Sequence, residues 1–132
     1  MDTVIRVYFA TESRFQKLHT MAQSDDVVVV LVTWPADVAG EGVAEALVTE
    51  RLAACVSILP IMRSTYRWQG AVERADEVQL VIKTTRGRLD ALEARVGALH
   101  PYEVPEFLVL AVDGGGRQYL EWVRAEVMPA SG

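Results

Sequence analysis

The sequence predicts an α+β fold in which two helices cover one face of a four-stranded antiparallel sheet. Three observations carry this prediction. Residues 27–32 form a six-residue apolar run, mostly valine, which suits a strand buried on both faces and is too short for a helix. Two segments, 43–55 and 86–99, carry apolar side chains at helical spacing. The remaining apolar segments are short, alternate in polarity and are joined by either one of these helices or a tight turn. The resulting order is β-α-β-β-α-β followed by a last helix.

Each element has its own signal. The first strand runs through residues 27–33, and Pro35 and Asp37 turn the chain into a helix. Ala44, Leu47, Val48 and Cys55 mark its inner stripe, with Glu41, Glu45 and Glu50 outside it. The second strand begins at residues 55–59, is punctuated by Pro60 and continues from Met62 to Trp68. Gln69-Gly70 is a hairpin turn. Over residues 77–84, Val78, Leu80 and Ile82 face one side and Gln79, Val81 and Lys83 the other. In the second helix Leu89, Leu92, Val96 and Leu99 share a stripe, and His100-Pro101 ends it, because proline disfavours helical backbone in the residue before it. Residues 107–112 form the fourth strand. Gly114-Gly115-Gly116 then releases the chain into a helix at 118–127, with Leu120, Val123 and Val127 inward. This is the split βαβ, or ferredoxin-like, arrangement. Residues 27–132 are expected to form one domain. Residues 1–26 are expected to be an extension outside it, with a short alternating piece at 4–9 and a histidine, His19.

Composition narrows the function. Of 132 residues, 51% are hydrophobic and twenty are valine, more apolar side chain than one small core needs. The helices account for one sheet face only, so the excess predicts that another copy of the chain covers the second. A net charge of −5 with no basic stripe argues against nucleic-acid partners. No apolar run approaches the 18 residues of a membrane span. A single cysteine, Cys55, excludes an internal disulfide and zinc-finger spacing, and fits a reduced, cytoplasmic setting.

The most informative stretch is His100-Pro101-Tyr102-Glu103-Val104-Pro105-Glu106. Two prolines stiffen a loop that presents an imidazole, a phenol and two carboxylates, a set suited to a divalent metal or a small polar ligand. The competing structural reading has His100 capping the helix and Tyr102 bonded to backbone. Cys55 reads more simply as a small buried hydrophobe than as a nucleophile, since no base is spaced to activate it. Tyr66 and Trp68 share one face just before the hairpin tip. Lys83 stands in an apolar strand and needs a carboxylate, a route to solvent or a ligand. The glycine triplet lacks the spacing of a phosphate-binding loop.

In order, residues 50–56, 66–70 (Tyr-Arg-Trp-Gln-Gly), 81–84 (Val-Ile-Lys-Thr), 100–106 and 119–122 (Tyr-Leu-Glu-Trp) closely resemble the CutA divalent-cation tolerance family. The resemblance spans residues 27 to about 127. It implies a homotrimer of ferredoxin-like protomers and a non-enzymatic role in tolerance of copper and other divalent cations. It also implies weak binding of a divalent ion; no cofactor is expected to be required, and Cu(II) or another divalent ion is expected to fall to His100, Glu103 and Cys55. The family's trimer also resembles that of the PII signalling proteins. The alternative expectation is therefore a small metabolite held between subunits by Lys83, Trp68, Tyr102 and Glu106. One departure stands out: where the family usually reads Thr-Cys-Pro, this chain has Thr33-Trp34-Pro35, which puts a soft two-cysteine copper site in doubt.

Overall fold

A computed structural model describes residues 24–38 and 40–129. The alternating piece at 4–9 and His19 lie outside them. The strands are β1 (Val27–Pro35), β2 (Cys55–Ile58), β3 (Met62–Trp68), β4 (Ala71–Thr85) and β5 (Leu108–Ala111). The helices are α1 (Gly40–Thr49), α2 (Leu89–Leu99, entered through one 3-10 turn) and α3 (Arg117–Glu126). All sheet pairings are antiparallel, in the order β2-β4-β1-β5, with β3 paired to β4 beyond β2. The ferredoxin-like α+β fold is thus present, with five strands rather than four.

Alternation along β1 sorts the two layers. Val28, Val30, Val32 and Trp34 pack with Leu80 and Ile82 of β4 against Val43 and Leu47 of α1 and Leu89, Leu92 and Val96 of α2. Each fully buried Leu or Ile here contributes roughly 1.5–3 kcal/mol of transfer free energy. Leu99, expected on the same stripe, is instead 37% exposed at the last turn of α2. The first helix is shorter than its apolar spacing predicted. It ends at Thr49, and Arg51 takes a left-handed φ of 61°. The amides of Leu52 and Ala53 both bond to the carbonyl of Leu47, and Thr84 Oγ1 donates to Leu52 O at 2.8 Å. Cys55 therefore opens β2 and is not part of the helix stripe.

The second sheet face carries Val29 and Leu31 of β1, Gln79, Val81 and Lys83 of β4, and Leu108 and Leu110 of β5. The sequence predicts no helix on this face. The structure corrects that at one end, where Val123 and Val127, at the end of α3, pack with Val27 and Ala54. Glycines 114–116 give the chain the freedom to swing α3 there. The middle of the face stays open, with Leu108 and Leu110 about half exposed.

The second predicted strand divides at Pro60 for a physical reason. Ile58 faces Leu80 and Met62 faces Glu77, so three residues on one side oppose two on the other. Proline has no N–H for the ladder and is tolerated in sheets chiefly at such bulges. Val56 and Ile58 pack into the helix-covered core. After the extra residue, Met62, Ser64, Tyr66 and Trp68 pair with odd-numbered β4 residues and share the open face with Glu77 and Gln79. β4 runs fifteen residues and outlasts β1, whose pairing stops at Pro35–Glu77. Beyond that point β3 and β4 form a two-stranded arm, closed by Gln69 (φ 50°) and Gly70 (φ 83°) as a type I′ turn.

Residues 24–26, assigned to the extension by sequence, are tied to the domain. Ser24 O accepts from the Gly87 amide at 2.7 Å and Asp26 O from the Arg86 amide at 3.0 Å. A Cβ on Gly87 would sit 3.1 Å from Ser24 O, so glycine permits this close approach.

Candidate functional site

At the end of the open face away from α3, the arm and the 101–106 loop border a half-open cleft of about 790 Å³. The floor is Thr33, Glu77 and Gln79. One wall is the even-numbered side of β3, including Tyr66 and Trp68. The other wall is the loop, with Tyr102, Glu103 and Glu106. Three carboxylates and three aromatic rings line this cleft, with no Lys, Arg or His among the lining residues.

The loop is held by specific bonds. The Tyr102 hydroxyl donates to Glu77 Oε2 at 2.8 Å, and Gln79 Nε2 donates to Glu106 Oε2 at 3.1 Å. Glu77 is 6% exposed, so the phenol supplies a hydrogen bond that a buried carboxylate needs. Burial, and then the bond and negative charge of Glu77, raise the Tyr102 pKa above its ordinary 10.0.

His100 sits behind the loop. Its Nε2 lies 2.7 Å from Thr33 O, which only accepts, so Nε2 carries the proton. Its Nδ1 accepts from the Tyr102 amide at 3.0 Å. The ring is 8% exposed and lies between Trp34, at 4.3 Å between centroids, and Tyr102, at 4.8 Å. His100 thus fastens β1 to the loop, and its backbone N–H bonds to Val96 O to cap α2. Trp34 itself is 2% exposed and belongs to the core, with its indole N–H unpartnered among the described residues.

The sequence-predicted site residues divide into two groups. Trp68, Tyr102, Glu103 and Glu106 come together at the cleft, with His100 directly behind it. Cys55 and Lys83 do not. They pair with each other across β2 and β4, six residues along β4 from Glu77, or about 20 Å of strand. There Lys83 Nζ donates to Ser57 Oγ at 2.9 Å, and Cys55 Sγ is 3.8 Å from the same oxygen. His100, Glu103 and Cys55 therefore do not form a joint metal site within one protomer. Among the described residues no three His, Cys, Asp or Glu side chains are grouped to hold an ion. Within one protomer Lys83 likewise lies away from the rings of Trp68 and Tyr102, bonded to Ser57. Thr33, Ser64, Tyr66, Glu77 and Gln79 line the cleft without having been singled out as site residues. The usable signal was Pro60, whose bulge decides which side of β3 meets Glu77 and Gln79.

Comparison with known proteins agrees with this fold. The family model described as "CutA1 divalent ion tolerance protein" matches residues 28–126. The divalent-cation tolerance protein CutA of Thermus thermophilus is 50% identical over 96 residues, which cover 73% of this chain and 93% of that protein. The protein of the same name from Pectobacterium atrosepticum is 44% identical over 102 residues, covering 77% and 93%. Among solved structures, a divalent cation tolerance protein from Thermus thermophilus superimposes with a TM-score of 0.75 at 47% identity. It covers 77% of this chain and 99% of its own. Over its sheet, its helices and the loop that walls the cleft, this chain belongs to the CutA1 divalent ion tolerance family.

Proposed function

We propose that the chain is a non-enzymatic divalent-cation tolerance protein that works as a homotrimer in the cytoplasm and binds Cu(II) or a similar ion weakly. The observation that carries this reading is that Glu77, Glu103 and Glu106 all line one cleft, with no basic side chain among its lining residues. Glu103 and Glu106 are the ligands the geometry offers first. Within one protomer Cys55 is too far along the sheet to join them, and His100 would have to release the Tyr102 amide to use Nδ1. Two carboxylates make a shallow site that a neighbouring subunit or water must complete, so affinity no tighter than micromolar is expected. The trimer is supported by the open face, where Leu108 and Leu110 stand exposed, and by the arm. A lone two-stranded ribbon is marginal in water and gains from a partner. The single thiol suits a reducing compartment.

Native mass spectrometry with and without Cu(II) tests both halves together. The expected result is a trimer that retains copper, less of it in Glu103→Gln and Glu106→Gln and no less in Cys55→Ser. A monodisperse folded monomer, or copper loading unaffected by either glutamate, would overturn the reading.

A further inference from the structure

We infer that the cleft between the arm and the 101–106 loop is a binding site for a small organic cation, an amine carrying one or two ammonium groups. The inference rests on the reading of this cleft as the functional site, and goes beyond it by naming the class of ligand.

Volume separates an organic ligand from a bare ion. At about 790 Å³ the cavity falls within the range of small-molecule sites, roughly 300–1,000 Å³. A dehydrated divalent ion needs several ligand atoms within about 2–2.6 Å of one point, and the described residues hold no group of three acidic, His or Cys side chains so placed. The space therefore suits a molecule of several heavy atoms.

Charge selects the sign of that molecule. Glu77, Glu103 and Glu106 line the cleft, and no Lys, Arg or His does. Arg74, the nearest basic residue on β4, pairs with Thr65 on the strand side away from the cleft, and Lys83, on the cleft's side, is six residues farther along β4 and bonded to Ser57. Within one protomer an anion would meet carboxylates with no basic lining residue to offset them.

The aromatic walls supply the remaining recognition. The bulge at Pro60 puts Tyr66 and Trp68 on the cleft side of β3, and Tyr102 stands in the opposite wall. Within one protomer all three keep roughly 36–43% of their surface accessible. Aromatic faces attract ammonium groups through the negative potential above the ring, and Trp is the strongest of them. The two inner carboxylates are already oriented, Glu77 by Tyr102 and Glu106 by Gln79. Such preorganised acceptors lose little freedom on binding. Glu103, at the loop's outer turn and exposed, is placed to meet a second ammonium group.

Calorimetry on the full-length protein in its native assembly, at fixed ionic strength, tests this with three four-carbon probes. They are 1,4-diaminobutane, 1,4-butanediol and butanedioate, which change charge at nearly constant size. The diamine is expected to bind, the diol at least tenfold more weakly and the diacid not at all. Trp68→Ala should weaken the diamine about 5- to 30-fold, and Trp68→Phe should restore most of the loss. Glu103→Gln should weaken it several-fold, whereas Glu45→Gln on α1 should leave it unchanged. Trp68 and Glu103 are exposed, so these variants keep the fold. No heat from the diamine up to 10 mM, or equal binding of diamine and diol, would overturn the inference. Cu(II) titrated separately under the same conditions keeps the two readings apart. Copper binding without diamine binding removes the organic cation and leaves the metal site. Diamine binding without copper binding supports the organic cation and removes the metal site.

Discussion

His100 contributes to this fold by what each of its nitrogens does. Nε2 donates to Thr33 O and Nδ1 accepts from the Tyr102 amide, so the neutral ring joins β1, the end of α2 and the cleft loop in one step. His100→Ala leaves a buried carbonyl unpaired and a void beside Trp34, and should cost about 2–4 kcal/mol in chemical denaturation. His100→Asn should recover part of that loss by restoring one donor. Tyr102 acts on the other side of the loop. Tyr102→Phe removes the hydrogen bond to Glu77 and should cost about 1–2 kcal/mol. Its titration adds a pH signature. The folded state raises the Tyr102 pKa above 10.0, so the proton is held more tightly in the folded than in the unfolded chain. That stabilisation is complete below pH 10, the unfolded value, and is lost as pH rises toward the folded one. Denaturation midpoints measured from pH 8 to 11 should fall more steeply above pH 10 in the wild type than in Tyr102→Phe.

Among the elements, β4 carries the most. Its C-terminal half lies between β2 and β1, while its N-terminal half has β3 alone. Leu80→Ala, in the buried half, should therefore lower global stability by about 2–5 kcal/mol. Gly70→Ala, at φ 83° in the arm's turn, should cost about 1 kcal/mol locally. It should appear as faster amide exchange in residues 62–76 with little change in the global midpoint. The contrast between these halves also explains what could be read from the sequence. Strand alternation at Val28–Val32 and Val78–Ile82 is set by local side-chain period, and the helix stripes at Leu47 and at Leu89–Val96 by helical period, so these elements were legible. The face of β3 was not. It depends on whether Pro60 is a bend or a bulge, which is settled by pairing with Gln79 and Glu77 across the sheet. The cleft suffered the same limit. The loop residues Tyr102, Glu103 and Glu106 were visible as a polar cluster, but Glu77 read as the edge of an apolar strand. Only the antiparallel register places it under Tyr102. The close link between Trp34 and His100 was likewise hidden, because 66 residues separate them.

For the whole molecule, the two ends of the open face differ in kind. One end is covered by α3 through Val123 and Val127, and the other holds the acidic cleft. Between them lies apolar surface with Leu108 and Leu110 accessible. If copies of the chain cover that surface, Leu108→Lys together with Leu110→Lys should shift the assembly to smaller species in sedimentation velocity and lower the melting temperature. An unchanged sedimentation coefficient would place the contact elsewhere. The bulge at Pro60 also sets a rule for how this chain tolerates changes in length. Strand faces alternate every residue, so one residue removed between Ile58 and Met62 would turn Tyr66 and Trp68 toward the helix layer and empty one wall of the cleft. A matched gain of two residues on each side of the arm would lengthen it by about 7 Å and leave every side chain on its present face. Functional variants of the arm should therefore differ in length by even steps, while a single-residue indel at Pro60 should act as a loss-of-binding mutation in a folded protein.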